Sequence, residues 1–178
     1  MTYNPIFLER TKGVGVITPE MGINNGVCGP SLRGSGVSCD VRKQQPYLFY
    51  DQVKFTECLE TGGVCWSRYM CRMRELRESV SLIRQCLDRL EPGPVETKLP
   101  PVLKAPPASE IYSRIESSRG EMGIYLVGDG TAKPYKAKYR CASFSNTYVL
   151  DQLTRGWKVA DIMAVLGSLD MIVPEVDR

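Results

Sequence analysis

Between Ser67 and Glu91 the residues Met70, Met73, Leu76, Val80, Ile83, Leu87 and Leu90 recur at steps of three and four. A helix turns once every 3.6 residues, so this spacing lines them up on one helical face. Ser67 suits the N-cap, and Glu91-Pro92-Gly93-Pro94 stops the helix because proline lacks the amide that a further turn needs. The opposite face carries Arg72, Arg74, Glu75, Arg77, Glu78, Arg84 and Asp88, and reads as a solvated or subunit-facing polar side. A long amphipathic helix over 67–91 is therefore the fixed point around which the rest must arrange itself.

On either side the composition changes. Residues 1–64 are rich in Gly, Pro and Asn, and Asn24-Asn25-Gly26, Gly29-Pro30 and Gly34-Ser35-Gly36 break regular structure there. Loops with short helices are expected. Residues 92–110 hold Pro92, Pro94, Pro100, Pro101, Pro106 and Pro107, an extended linker of polyproline II character. Residues 111–142 read as strands. Glu121–Val127 and Pro134–Arg140 flank Gly128-Asp129-Gly130-Thr131-Ala132-Lys133, a hairpin with a long loop. Residues 145–155 and 158–166 read as two helices, separated by Gly156, with Gly167 ending the second. A tail follows. The expected class is α+β, mainly helical: one part-domain over 1–178, completed by another chain.

Several chemistries are excluded. The chain has no histidine, so it holds no histidine base, no histidine metal ligand and no Ser–His or Cys–His nucleophile. Its seven cysteines are odd in number and form no C-x-x-C pair, which argues against a closed disulfide framework and against the usual zinc and iron–sulfur signatures. They read as reduced, small, apolar residues. The net charge of +3 is not gathered into a basic tract, so nucleic acid is a poor partner. No run approaches the ~20 apolar residues of a membrane-spanning helix. Met1–Arg10 lacks the order of a secretory signal, so the chain is expected to need no import or to have been cut already.

Three blocks stand out in order. The first is Gly29-Pro30-Ser31-Leu32-Arg33-Gly34-Ser35-Gly36 with Asp40-Val41-Arg42-Lys43, Pro46-Tyr47 and Tyr50-Asp51. The second is Arg119-Gly120-Glu121-Met122-Gly123-Ile124-Tyr125-Leu126-Val127 with Asp129-Gly130 and Pro134-Tyr135. The third is Gly156, Ala160-Asp161-Ile162, Leu166-Gly167-Ser168 and Asp170, ending Glu175-Val176-Asp177-Arg178. Together they resemble the carboxyl-terminal half of the forty-nine-kilodalton subunit of proton-pumping NADH:ubiquinone oxidoreductase, respiratory complex I. The run from Arg42 to Val53 looks most like mitochondrial members.

That resemblance implies a fold like the large subunit of nickel–iron hydrogenases, with the long helix, a small antiparallel hairpin and a terminal helix plus tail. It implies that Ile172 and Glu175 stand where hydrogenases carry two cysteine ligands. Nickel prefers thiolates, so no metal is expected. It implies that the vacated cavity receives ubiquinone, with Asp170, Met171, Ile172 and Val173 lining it. Two readings of the tail carboxylates stay open. Asp170 and Glu175 act as proton-relay groups, or Asp170, Glu175, Asp177 and Arg178 form ion pairs that lock the terminus. Arg33 and its glycines are assigned to structure first, since Gly34-Ser35-Gly36 lacks the remaining residues of a phosphate-binding loop.

The resemblance also implies partners. A chain carrying the amino-terminal half would supply the family's headgroup-contacting His and Tyr, making this a split subunit that starts at Met1. An iron–sulfur subunit with the terminal cluster would deliver electrons, and a membrane subunit would admit quinone. FMN and the iron–sulfur clusters belong to partner subunits, and no cofactor is bound by this chain. The implied place is the matrix side of the mitochondrial inner membrane, in the peripheral arm. Two departures from the family pattern are visible: the linker over 92–110 is short and lacks a helix, and Asn146 stands where mitochondrial members often have His. A ferredoxin- or photosynthesis-linked quinone reductase and a non-catalytic scaffold fragment remain as alternatives.

Overall fold

The structure, a computed structural model, describes residues 2–102 and 107–177. Met1 as a chain start, Pro106 in the linker and Arg178 as an ion-pair partner lie outside the described residues. In the first 64 residues prolines begin helices more than they break them. α1 (Pro5–Thr11), α2 (Pro19–Asn24) and α3 (Pro30–Arg33) each carry Pro in the first turn, where the missing amide has no partner to lose. Asn4 caps α1 by accepting from Ile6 N at 2.9 Å, Thr18 caps α2 by accepting from Met21 N at 3.1 Å, and Asp40 caps α4 (Val41–Gln44) by accepting from Arg42 N at 2.9 Å.

The long helix α5 runs Cys65–Leu87. It starts ahead of Ser67, and Ser67 is buried in its first turn instead of capping it. A main-chain carbonyl supplies what the expected cap would have: Cys65 N donates to Val14 O at 3.0 Å. The larger correction concerns its faces. The apolar row expected to be the packed face stands in solvent from Leu76 onward, while the helix buries Cys65, Ser67, Arg68, Cys71 and Leu82. Arg72 and Glu75, assigned to the solvated side, are only about one-fifth exposed. The reason is reach. The loops and the terminal helices of this chain cover the first turns of α5 and leave the outer row of its second half bare.

β1 (Ser109–Ser117), β2 (Gly120–Gly128) and β3 (Lys136–Arg140) form an antiparallel sheet in that order. Ser117 pairs with Gly120, so a two-residue turn, Ser118-Arg119, joins β1 to β2. That turn presses on the loop before α3. A methyl group added at Gly29 would sit 2.3 Å from Arg119 O, and one added at Gly120 would sit 2.7 Å from Cys28 Sγ; both glycines have positive φ. Only glycine tolerates both demands.

The carboxyl-terminal helices are α6 (Ala142–Thr147), α7 (Leu150–Thr154), α8 (Val159–Leu169) and α9 (Val173–Val176). Gly156, at φ +80, separates α7 from α8 as expected. Gly167 does not end α8. The helix continues to Leu169, and Asp170 takes the left-handed cap position at φ 54, ψ 46. Val14, Ile17, Val27, Leu32, Cys65, Val149, Leu153, Val165 and Leu169 make the main core, where the amino-terminal loops, α5 and the terminal helices meet. Val53, Phe55 and Leu82 make a smaller one. The architecture is α+β.

Candidate functional site

Asp170 ends α8 in a conformation that costs a non-glycine residue about 1 kcal/mol or more, and that Asp tolerates better than most. Two arginines hold it there. Arg72 of α5 donates to Ser168 O at 2.6 Å and Leu169 O at 3.2 Å, satisfying carbonyls that the helix leaves open and meeting the negative end of its dipole. Arg119, at the β1–β2 turn, donates through Nε to Asp170 O at 3.3 Å and through a terminal nitrogen to Asp170 Oδ1 at 3.4 Å. The carboxylate Oδ2 lies 3.6 Å from Arg72 Nε and 3.3 Å from Arg119 Nε. Burial lowers the Arg72 guanidinium from its ordinary value, against the pull of Asp170 and Glu75. Its Nε finds no hydrogen-bond acceptor among the described residues.

The carboxylate faces a cavity of about 460 Å³ whose walls include Arg33, Arg42, Arg72, Glu75, Glu116 and Asp170. Arg33 is 1% exposed. It donates to Glu75 at 2.8 Å, to Glu116 at 2.8 Å and to Cys39 O at 2.7 Å, joining α3, α5 and β1. Burial works against its charge, and Glu75, Glu116 and Asp40 outweigh burial and hold it above its ordinary value. Glu116 is raised by burial more than Arg33 lowers it, although it also accepts from Val41 N at 3.1 Å. Burial raises the thiols of Cys28, Cys39, Cys58 and Cys71, the last to about 12, which favours their protonated form.

Asp40 behaves differently. Burial tends to raise its carboxyl, but hydrogen bonds from Arg42 at 2.9 and 2.6 Å and the Arg42 and Arg33 charges override burial and lower it below 3.8. A carboxyl depressed by folding stabilises the fold above its ordinary value and loses that contribution as pH falls through the folded one. Asp40→Asn keeps the cap and is expected to cost about 2 kcal/mol at neutral pH. Denaturant unfolding should show the gap from wild type closing as pH drops below 3.8. A gap independent of pH would mean that the charge contributes nothing.

The other tail residues lie elsewhere. Met171, Ile172, Val173 and Glu175 are not in the wall of the charged cavity. Glu175 accepts from Ser143 Oγ, and that same oxygen accepts from Ile172 N at 3.2 Å, fastening the tail to α6. Thr147 Oγ1 lies 3.6 Å from Met171 Sδ. Ile172 and Val173 are 38% and 68% exposed, and so available to a neighbour. Among the described residues Asp170 is therefore ion-paired to Arg72 and Arg119, and Glu175 has a hydrogen bond and no ion pair. Asn146 is fully buried, accepting from Cys28 N at 2.9 Å and donating to Arg119 O at 3.2 Å, so it anchors the Arg119 turn.

Four residues of this cluster escape a reading of the sequence: Arg72, Glu75, Glu116 and Arg119. A signal exists for two of them. Arg68, Arg72 and Glu75 repeat at steps of four and three, as regularly as the apolar row beside them. Arg119 heads the second of the three sequence blocks but has no periodic mark, and Glu116 has neither. Among the described residues no grouping of three or more His, Cys, Asp or Glu could hold a metal ion.

The site is a charged cleft framed by one helix, one hairpin and a helix end, with an exposed apolar helix face beside it. The chain belongs to the respiratory-chain NADH dehydrogenase 49 Kd subunit family, whose model matches residues 1–106 and 102–178. It is 48% identical over 175 residues to an NADH-quinone oxidoreductase subunit of Dehalococcoides mccartyi, covering 98% of this chain and 47% of that protein. It is 40% identical over 203 residues to the equivalent NADH-quinone oxidoreductase subunit of Pelagibacter ubique, covering all of this chain and 52% of that one. It is also 44% identical over 202 residues to an NAD(P)H-quinone oxidoreductase subunit of Acaryochloris marina, covering all of this chain and 51% of that protein. The chain thus spans about half the length of the relatives it matches. No helix among the described residues is long and apolar enough to cross a membrane.

Proposed function

We propose that this chain forms one wall of the quinone-reduction cavity of a proton-pumping NADH:ubiquinone oxidoreductase, within a fold like the carboxyl-terminal part of the nickel–iron hydrogenase large subunit. The observation that carries the reading is Asp170, held in a left-handed cap between Arg72 and Arg119 at the edge of a charged cavity. Reducing ubiquinone to ubiquinol takes two electrons and two protons. The electrons come from the terminal iron–sulfur cluster of a partner subunit, filled in turn from NADH through FMN. The protons must reach the ring oxygens as negative charge develops there. Arg72 and Arg119 favour that charge electrostatically, and Asp170 fixes the two cations in place.

In this reading Met171, Ile172 and Val173 meet the ring on the side left open here, and Glu175 orients the tail through Ser143. The half of the family protein beyond this chain supplies the headgroup-contacting side, and a membrane subunit admits quinone from the bilayer. The mitochondrial character of residues 42–53 supports a place on the matrix side of the mitochondrial inner membrane, while the relatives named above are bacterial and cyanobacterial. The chain binds no cofactor of its own in this reading.

Ile172→Phe tests it. Ile172 is partly exposed and its side chain carries no hydrogen bond, so the change adds bulk on the quinone side without removing a tether. In the assembled complex we expect quinone reductase activity to fall roughly tenfold, with altered sensitivity to quinone-site inhibitors and unchanged electron transfer from NADH to an artificial acceptor. Unchanged activity and sensitivity would favour a scaffold fragment.

A further inference from the structure

The tail and the Arg119 turn are fastened to one short helix. Ser143, Asn146 and Thr147 stand three and four residues apart on α6, so they share a face. Ser143 and Asn146 are buried. Ser143 Oγ donates to Glu175 and accepts from Ile172 N at 3.2 Å, so one hydroxyl holds the tail at two points. Thr147 Oγ1 reaches Met171 Sδ at 3.6 Å. One turn along from Ser143, Asn146 accepts from Cys28 N at 2.9 Å and donates to Arg119 O at 3.2 Å. Its side chain ties the loop before α3 to the β1–β2 turn, from which Arg119 extends to Asp170. The two attachments differ in what they fix. Ser143 fixes a largely apolar tail, and Asn146 fixes a cation. Neither residue is in the wall of the charged cavity, so each acts there only through what it holds.

We propose that Ser143 and Asn146 are positioning residues for quinone reduction, with separate effects. Ser143 governs how tightly quinone binds, through Met171, Ile172 and Val173. Asn146 governs how well negative charge on the ring is stabilised, through Arg119. The inference rests on the quinone reading. In that reading the tail meets the ring before and during reduction alike. Loosening it weakens the ground state and the transition state together, which raises KM. Arg119 matters as charge develops on the ring, so displacing it lowers kcat. Both anchors leave the same turn of α6, so that turn holds the spacing between tail and cation.

The test is steady-state ubiquinone reduction by the assembled complex, referred to NADH oxidation by an artificial acceptor. Ser143→Ala should raise the KM for ubiquinone about tenfold with kcat within about twofold, and Asn146→Ala should lower kcat about tenfold with KM within about twofold. Ser143→Cys stays close in volume but bonds weakly, so it should shift KM the same way in a complex that assembles even where alanine does not. Asn146→His keeps a donor and an acceptor, so its kcat should return to within about threefold of wild type. A merely structural role would move both constants together in both sets of variants, or lower the yield of complex and move neither. Either result overturns the proposal, as does an Asn146→His variant as slow as Asn146→Ala. Ile172→Phe separates the two failures. If it impairs quinone reduction while the α6 variants do not, the positioning inference falls alone. If it is silent as well, the quinone reading falls with it.

Discussion

Arg68→Ala is expected to destabilise the protein by about 4 kcal/mol, the upper part of the range for a single change. Arg68 is fully buried, and burial lowers its guanidinium from its ordinary value. No carboxylate pairs with it among the described residues. It serves neutral acceptors instead: Ser168 Oγ at 2.8 and 3.0 Å, Gly63 O at 2.8 Å and Gly15 O at 2.9 Å, with Cys65 Sγ at 3.4 Å. One side chain thus joins α5, α8 and two loops. Truncation removes a charge that is costly to bury, which favours the variant, but it strands several buried acceptors at about 1–3 kcal/mol each and leaves a cavity. The second effect wins. Arg68→Lys keeps the charge and loses the planar fork, so it should fall between the two. Denaturant unfolding, or loss of assembled complex, reads the difference. A cost below about 1 kcal/mol for Arg68→Ala would show that the loops close equally well around water.

Asp170→Asn is expected to leave the complex assembled and to slow quinone reduction roughly a hundredfold, the scale of one lost electrostatic contact at a reacting centre. Asparagine matches aspartate in size and accepts the left-handed cap, so the backbone turn survives. What changes is charge. Arg72 and Arg119 then lose the carboxylate that lies between them, and their positions relax. Asp170→Ala removes the charge and adds cap strain of about 1 kcal/mol or more, so it should impair assembly as well. Steady-state quinone reductase activity, compared with NADH oxidation by an artificial acceptor, separates the two variants. Activity within twofold of wild type in a fully assembled Asp170→Asn complex would remove Asp170 from the site.

Local pattern makes the long helix, the β2–β3 hairpin and the break at Gly156 readable from residue order. Each depends on neighbours in sequence: a periodic row, a Gly-rich turn, a residue free to take positive φ. What is not readable depends on residues far apart. The outward-facing row of α5 resembles core, because periodicity reports that a face will be covered and not by whom. Arg72 and Glu75 resemble solvated residues, because charge usually is solvated, and their partners at the α8 carboxyl end and on α3 are far away in sequence. Asp170 stands out through the resemblance, and the structure places it at a cavity, whereas Met171, Ile172 and Val173 lie outside the wall of that cavity. Gly167 has the look of a helix end, yet the arginine holding the next carbonyls lets the helix run on to Leu169.

The contact of Gly29 with the Ser118-Arg119 turn works as a spacer of zero thickness. Arg119 approaches Asp170 only as near as the hairpin can settle on the loop beneath it, and two absent methyl groups fix that depth. A side chain at either glycine would lift the turn and widen the gap between cation and carboxylate, far along the chain from Asp170. The electrostatic setting of the cavity is thus adjusted by packing tolerance at positions that carry no charge and touch no ligand.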